Sequence, residues 1–367
     1  MKMELAKHAP ARATERHVDR LATLEVAVLM GGTSSEREVS LRSGEAVARA
    51  LASAPEAGAP NGPARVRSIE LAPDGRWVLD GRGADPLVVL RELQPSTVFF
   101  LALHGGRGED GTLQGLLDAL GRIHTGSGVE ASALCMNKHL TRLALRDAGV
   151  RVASGRLVTT AAWRADAAAL LRELAALSST GFSVKPNRGG SSVATSLLDG
   201  AEGLRAAIET VLATGDDALV EERIRGAETT CGVLGNRGGA LRSLTPVEIV
   251  PKDGRFFDYQ EKYSSAGAQE FCPPRSLAPK TVARIGELAL LAHAAAGCDG
   301  YSRIDFMIPR DASGVEGEPV ALEINTLPGM TARSLLPLAA GAEGLSFRAL
   351  CVELVALALD KAAAQRS

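Results

Sequence analysis

The chain has 367 residues, 46% of them hydrophobic and 23% charged, with a formal net charge of −2; at roughly 100–200 residues per domain this is room for two or three globular domains. The near-neutral balance supplies no basic footprint for nucleic acid, and 4% aromatic residues leave little surface for base stacking. No run of 18 apolar residues occurs, so no membrane span is expected; the five cysteines form no CxxC pair and sit among apolar or small residues, which speaks for buried thiols in a reducing cytoplasm rather than zinc or a disulfide framework.

The first 24 residues mix Arg12, Arg16 and Arg20 with Glu4, Glu15 and Asp19 and lack an apolar core, so they are not a secretory signal and read as a mobile extension. Residues 25–30 (Glu-Val-Ala-Val-Leu-Met) predict a buried strand. Gly31-Gly32 turns the chain, and Ser34 or Ser35 is placed to cap a helix running through Ala48. A second buried strand, 97–103, ends at His104-Gly-Gly, and a helix follows over 112–120. Strands alternating with helices predict a parallel sheet, with ligands beyond the strands' C-terminal ends. A further segment begins near Gly128, with helices at 137–148, 161–177 and 201–213 around strands at 181–186, 192–197 and 218–222. From 223 the chain turns strand-rich, with strands at 228–234 and 243–250. Ala/Leu-rich helices are expected at 279–296 and 346–364.

Arg303-Ile-Asp305 is followed eighteen residues after Asp305 by Glu323-Ile-Asn325, each inside an apolar run. Alternation puts Arg303 and Asp305 on one face of a strand, and Glu323 and Asn325 on one face of another. The intervening Pro-Arg-Asp-Ala-Ser-Gly reads as a hairpin connection. Paired, the two strands gather three oxygen ligands and a guanidinium, a hard set suited to Mg²⁺ beside a phosphate. Taken alone, the same residues also describe a sheet with one solvated, charged face.

Other segments carry chemistry of their own. Glu36, in the first turn after Gly31-Gly32, is suited to an ammonium or merely to the helix dipole. His104 lies at a strand end among glycines that allow close approach of a ligand. Lys185, on a buried strand before Gly189-Gly190-Ser191-Ser192, needs an anion, and the turn offers amides and hydroxyls for a phosphate; GxxxxGK[ST] is absent. Lys138 opens a helix and is either a second phosphate contact or a surface lysine. Glu221-Glu222-Arg223-Ile224 leaves a buried strand as an interdomain hinge whose backbone suits an adenine edge, with Glu228 next to it facing the ribose or a lysine. Lys262 and Tyr263 sit in a long polar loop of the kind that forms lids.

In this order the segments resemble the D-alanine–D-alanine ligases of the ATP-grasp superfamily, from about residue 25 to 360. The resemblance rests on Gly-Gly-Thr-Ser-Ser-Glu-Arg-Glu-Val-Ser, Leu-His-Gly-Gly-Arg-Gly-Glu-Asp-Gly, Thr-Gly-Ser-Gly-Val at 125–129, Val-Lys-Pro-Asn-Arg-Gly-Gly-Ser-Ser-Val, Phe-Asp-Tyr-Gln-Glu-Lys-Tyr and Glu-Ile-Asn-Thr-Leu-Pro-Gly-Met-Thr. It implies an α/β, three-domain ATP-grasp architecture: an extension (1–24), an N-terminal Rossmann-like parallel sheet (25–127), then central (128–221) and C-terminal (222–367) α+β domains enclosing ATP. It implies ligation of two D-alanines through an acyl phosphate for peptidoglycan precursors, in the cytoplasm, with ATP as co-substrate and two Mg²⁺ or Mn²⁺ ions. A homodimer is the expected assembly.

By the same resemblance Lys138 and Lys185 match phosphate lysines, Ser191 and Ser192 the covering turn, Glu221, Glu222, Arg223 and Ile224 the adenine hinge, and Glu228 the ribose contact. Asp305, Glu323 and Asn325 match the metal ligands. Glu36 matches the holder of the first ammonium, with His104 near it. Arg303 and the Gly329 amide match the oxyanion donors, and Ser334 grips the second carboxylate. Glu36, Ser191 and Tyr263 match a trio that fastens the lid. Gly189 stands where the family often has an acidic residue, Ala194 where it often has glycine, and Asn137 replaces a common aspartate. The nearest rivals are a ligase of the same fold that joins D-alanine to D-serine or D-lactate, and a nucleotide-binding protein without turnover. Lys262-Tyr263 favours an amine acceptor, because ester-forming relatives lack that pair.

Overall fold

The computed structural model describes residues 16–55, 61–189, 194–251 and 268–366. Three sheets organise them. The first has the order β4 (Arg82–Ala84), β3 (Trp77–Leu79), β2 (Arg65–Leu71), β1 (Glu25–Gly31), β5 (Val98–Leu101), β6 (Ile123–His124). Strands β2, β1, β5 and β6 are parallel, and only the β2–β3–β4 edge is antiparallel. β1 is buried from Val26 through Gly31 and β5 throughout, because both faces are covered and alternation has no solvated side to report. The helix Arg37–Ala52 packs on β1 and β2, and the C-terminal helix Phe347–Ala364 packs on that helix and on β5 and β6. The last helix therefore returns to the first core, and it is buried at every position from Leu350 to Leu359.

The second sheet is antiparallel, in the order β7 (Gly155–Val158), β10 (Ala218–Glu222), β8 (Phe182–Pro186), β9 (Ser196–Leu198). Helices Thr160–Ala175 and Leu204–Ala213 close its core over Phe182, Val184, Ile208 and Val220. The third, also antiparallel, runs β14 (Gln269–Phe271), β13 (Val247–Val250), β11 (Gly226–Leu234), β15 (Tyr301–Pro309), β16 (Val320–Asn325), with β12 (Arg242–Ser243) on the other part of β11. Helix Pro279–Ala295 covers β11 and β15.

Three expectations change. Residues 16–24 are not a free extension: Leu21 and Leu24 are buried in the first core, and Arg16 and His17 both pair with Asp360 of the last helix. The strand expected over 243–250 is two strands, since Pro246 has no amide for the ladder and Leu244 instead donates to Gly232. The helix expected over 137–148 is Lys138–Asp147, preceded by a separate helix Val129–Met136; Asn137 ends one and caps the other, its side-chain oxygen accepting from the Leu140 amide. Strands β3, β4, β6, β7 and β14 were not anticipated, being short, and neither was the longer β2, in which only Ile69 is buried.

The first and third sheets meet where two backbones touch. A Cβ on Gly300, whose φ is +72°, would stand 3.1 Å from the nitrogen and Cα of Gly126, so only glycine fits. Beside this seam Lys361 donates to the Gly126 carbonyl at 2.7 Å. Burial pulls the Lys361 pKa from 10.5 down to about 8, against the opposing pull of Asp299 and Asp118. Across that window the unfolded chain holds a proton that the folded chain has released, so this side chain's contribution to stability rises with pH. Denaturant unfolding of the parent and Lys361→Met at about pH 7.5 and about pH 9.5 checks it. The difference between them should move in the parent's favour at the higher pH, and a difference that stays constant would contradict the desolvation.

Candidate active site

The β15–β16 hairpin supplies the centre. Ile304, Phe306 and Ile308 are buried in the hydrophobic core, while Arg303 and Asp305 share the other face. The antiparallel register pairs Arg303 with Asn325 and Asp305 with Glu323, as alternation and the turn predict. The register then slips: Phe306 pairs with Ala321, leaving Leu322 as an extra residue, so Leu322 and its neighbour Glu323 both line the cleft. Asp305 accepts from Arg303 Nε and Nη2 at 2.8 Å each, from Thr230 Oγ1 at 2.6 Å and from Asn325 Nδ2 at 3.2 Å. Burial alone would lower the Arg303 pKa; the Asp305 carboxylate outweighs it and raises the pKa above the ordinary arginine value.

Asp305, Glu323 and the Asn325 oxygen form a hard-oxygen set that fits Mg²⁺. Among the described residues no cluster of three or more His, Cys, Asp or Glu side chains is poised for a metal, so the asparagine is needed to complete the set. Asp305 has four donors on its two oxygens, which is its full capacity. A cation entering here must displace one of these donors, and Asn325 frees one by presenting its oxygen instead of its amide nitrogen.

A cleft of about 420 Å³ opens over this face between the second and third sheets. Its charged lining includes Lys138, Lys185, Glu221, Glu228, Asp305 and Glu323, and its apolar walls are Ala153, Leu197, Ile224, Met307 and Leu322. Lys185 Nζ lies 2.7 Å from Glu221 Oε2. Arg142 Nε lies 2.8 Å from Glu221 Oε1, close enough to compensate charge but without the alignment of a hydrogen bond. Lys138 is not a surface lysine: it is buried at the start of its helix, donates to the Gly189 carbonyl and stands 3.6 Å from Glu323.

The hinge is less open than its sequence suggests. The Glu221 carboxylate belongs to the Lys185–Arg142 pair, and the amides of Glu222 and Arg223 are bonded to the carbonyls of Ser154 and Gly181. Glu222 accepts from the Ser154 amide, and Arg223 pairs with Asp199. Of the three residues 222–224, only the Ile224 amide has no bond to a described residue.

The first sheet contributes the opposite wall. Glu36 stands at the N-terminal end of helix Arg37–Ala52, where Ser34 accepts its amide, so the serine expected as a cap fastens the turn before the helix. Gly105, at φ +66°, lies so close under Glu36 that a Cβ there would meet Oε2 at 2.7 Å. His104 is buried, 3.0 Å from Ser43 Oγ through Nε2 and 3.1 Å from the Leu327 carbonyl through Nδ1. Burial lowers its pKa, the Arg303 charge adds to this, and Glu36 and the Leu327 carbonyl oppose it. Glu109 accepts from the Gly105 amide at 2.9 Å; burial, with Glu36 and Glu323 adding, pushes its pKa up to about 7. Ser334 Oγ accepts from the Thr331 amide and sits where a Cβ on Gly329 would approach it to 3.0 Å.

Ser191, Ser192, Lys262 and Tyr263 lie outside the described residues. Four residues join the site that sequence reasoning did not single out. Arg142 follows Lys138 by one helical turn, and Ser43 follows Glu36 by two, so both share a face with a residue already chosen. Glu109 lies in the glycine-rich segment after His104. Thr230 becomes visible only once β11 is known to pair with β15, placing it opposite Asp305.

Residues 144–356 match the family described as D-ala D-ala ligase C-terminus. The chain is 39% identical over 338 residues to the D-alanine–D-alanine ligase of Halalkalibacterium halodurans, covering 92% of this chain and all (100%) of that one. It is 40% identical over 337 residues to that of Geobacter sulfurreducens, covering 90% and 93%. Its structure resembles the D-alanine–D-alanine ligase from Coxiella burnetii, with a TM-score of 0.76 and 28% identity over 94% of this chain and 96% of the other. It also resembles a D-Ala:D-Ser ligase from Enterococcus faecalis, with a TM-score of 0.74 and 29% identity over 92% and 99%. Near-complete coverage at about 40% identity, with a fold that superposes end to end, leaves one conclusion: the chain belongs to the D-alanine–D-alanine ligase family.

Proposed function

We propose that this enzyme joins two D-alanine molecules with hydrolysis of ATP to ADP and phosphate, and that the cleft between the second and third sheets holds the nucleotide. The observation that carries the reading is the cross-strand pairing of Arg303 with Asn325 and Asp305 with Glu323, facing Lys138 and Lys185 across that cleft. Phosphoryl transfer needs in-line positioning and neutralised charge more than covalent help. Lys138 and Lys185 serve the phosphates, the apolar walls and the Ile224 amide the adenine, and Glu228 the ribose. Asp305, Glu323 and Asn325 hold Mg²⁺ or Mn²⁺, which neutralises phosphate charge when bound. By the same reading Ser191 and Ser192 serve the phosphates, Lys262 serves the second substrate, and Glu36, Ser191 and Tyr263 fasten the lid.

In this scheme the first D-alanine, its ammonium on Glu36 near His104, attacks the γ-phosphorus through its carboxylate; ADP leaves and an acyl phosphate forms. The second, its carboxylate on Ser334, attacks the acyl carbon with its amine. Arg303 and the Gly329 amide stabilise the oxyanion, phosphate leaves, and the amine's proton is released. Water must be kept out, since an acyl phosphate hydrolyses. The division at 25–127, 128–221 and 222–367, a homodimeric assembly and a cytoplasmic location belong to the same proposal; among the described residues no helix is long and apolar enough to cross a membrane.

A second acceptor is a real alternative, because the same fold serves a D-Ala:D-Ser ligase. Quantifying dipeptide, D-alanyl-D-serine, depsipeptide and phosphate from mixed-acceptor reactions decides it. D-alanyl-D-alanine should dominate at neutral pH, and another major product would overturn the acceptor assignment.

Glu323→Gln should abolish turnover at ordinary Mg²⁺ while leaving thermal unfolding near that of the parent, since it removes one of two anionic ligands and a 3.6 Å partner of Lys138. Near-parental phosphate release would refute the metal assignment. Lys185→Ala should lower kcat/KM for ATP by about 10–100-fold, the worth of a charge-assisted phosphate contact of roughly 1.5–3 kcal/mol. Steady-state kinetics with ATP varied measures this, and unchanged values would place Lys185 away from the phosphates.

A further inference from the structure

The segment Leu327-Pro328-Gly329-Met330 follows β16 and reaches across to the first sheet. Its polar groups are fastened from that side. His104 Nδ1 lies 3.1 Å from the Leu327 carbonyl, which can only accept, so Nδ1 carries the proton. In the neutral ring Nε2 is then bare and accepts from Ser43 Oγ at 3.0 Å. The same Ser43 oxygen accepts from the Met330 amide at 3.4 Å. From the other side Glu109 Oε1 accepts from the Leu327 amide at 3.4 Å, while its Oε2 accepts from Gly105 at 2.9 Å. Leu327 is thus held at its carbonyl by His104 and at its amide by Glu109, from the same glycine-rich loop.

The amides along this segment divide cleanly. Leu327 and Met330 are bonded to the first sheet's loop and helix, Pro328 has no amide, and Gly329 alone has no bond to a described residue. A backbone donor kept unbonded between two anchored neighbours is the arrangement an oxyanion donor needs, because nothing must reorganise when charge develops.

We infer that Ser43, His104 and Glu109 act as a clamp of positioning residues, holding residues 327–330 of the C-terminal part against the N-terminal sheet so that the Gly329 amide is aimed at the reacting carbonyl of the second step. This rests on the assignment of Gly329 under the proposed function. In the neutral ring the Ser43 hydroxyl is directed to Nε2, which leaves its lone pairs to the Met330 amide. Burial lowers the imidazole's pKa, which favours that form. Glu109 must accept two amides at once, which it does fully as the carboxylate, above its pKa of about 7, and which a side-chain amide, with one oxygen, does less well.

Two measurements on the full-length chain test it, with Ser43→Ala and Glu109→Gln as independent variants. The first is hydrogen exchange of the amides of residues 327–330, which needs no activity. Met330 should exchange faster in Ser43→Ala, and Leu327 in Glu109→Gln. The second is the ratio of positional isotope exchange in the bridging oxygen of ATP, which reports reversal of acyl-phosphate formation, to dipeptide formed. Loosening the donor of the second step slows only that step, so the ratio should rise about tenfold in either variant, the scale of a small misplacement at a reacting centre. Because it is a ratio, it is unaffected by the fraction of protein folded. Unchanged amide exchange would overturn the clamp, and faster exchange with an unchanged ratio would overturn its role in the second step. A parent chain making no dipeptide would count against the ligation reading, while the exchange result would still decide the clamp.

Discussion

Asp305 is buried at the cleft floor and accepts hydrogen bonds from Arg303, Thr230 and Asn325 together. A carboxylate so placed is tolerable only while its charge is compensated and its lone pairs are filled. The same constraint governs the rest of the cleft. Glu221 is buried between Lys185 and Arg142, and Glu323 faces Lys138. Without ligand the protein's own cations neutralise its own anions. Phosphate and a divalent cation would bring the same two kinds of charge, so binding amounts to an exchange of partners rather than to placing bare charge in a dry site.

Holding those pairs at fixed distances requires sheets rather than loops. Lys185 and Glu221 stand on adjacent strands of the second sheet, and Arg303, Asp305, Glu323 and Asn325 on adjacent strands of the third. The register sets which side chains oppose each other, and the slip at Leu322 turns two consecutive residues toward the cleft. The first sheet is tied in by different means. Gly126 and Gly300 bring backbones into contact, Tyr301 donates to the Leu101 carbonyl at 3.4 Å, and the last helix lies along the first core. These contacts place Glu36, His104 and Glu109 opposite Arg303, and the electrostatic consequences follow: Arg303 lowers the His104 pKa, and Glu323 raises that of Glu109.

Much of this was legible in the chain itself. Period-two alternation located the β15–β16 pair and the faces of its four polar residues, since burying Ile304, Phe306 and Ile308 obliges Arg303 and Asp305 to face away from the core. Long apolar runs located β1, β5 and the last two long helices. A lysine on a buried strand announced an anionic partner, although the partner found is Glu221. Short strands such as β3 and β4 escaped, because three residues carry too little pattern to separate a strand from a loop.

What the sequence determined, then, is whatever depends on near neighbours along the chain: element type, the face on which each side chain lies, and the glycines at turns. Only the tertiary structure decided which faces meet. Thr230 belongs to the site because β11 pairs with β15, Arg142 because its helix brings it against Glu221, and residues 16–24 are packed because the last helix returns beside them. Ser43 and Glu109 matter because a loop nearly three hundred residues after Ser43 folds back onto them. Such pairings are fixed by the burial of whole surfaces at once, and that energy belongs to the packed molecule rather than to any local stretch of its sequence.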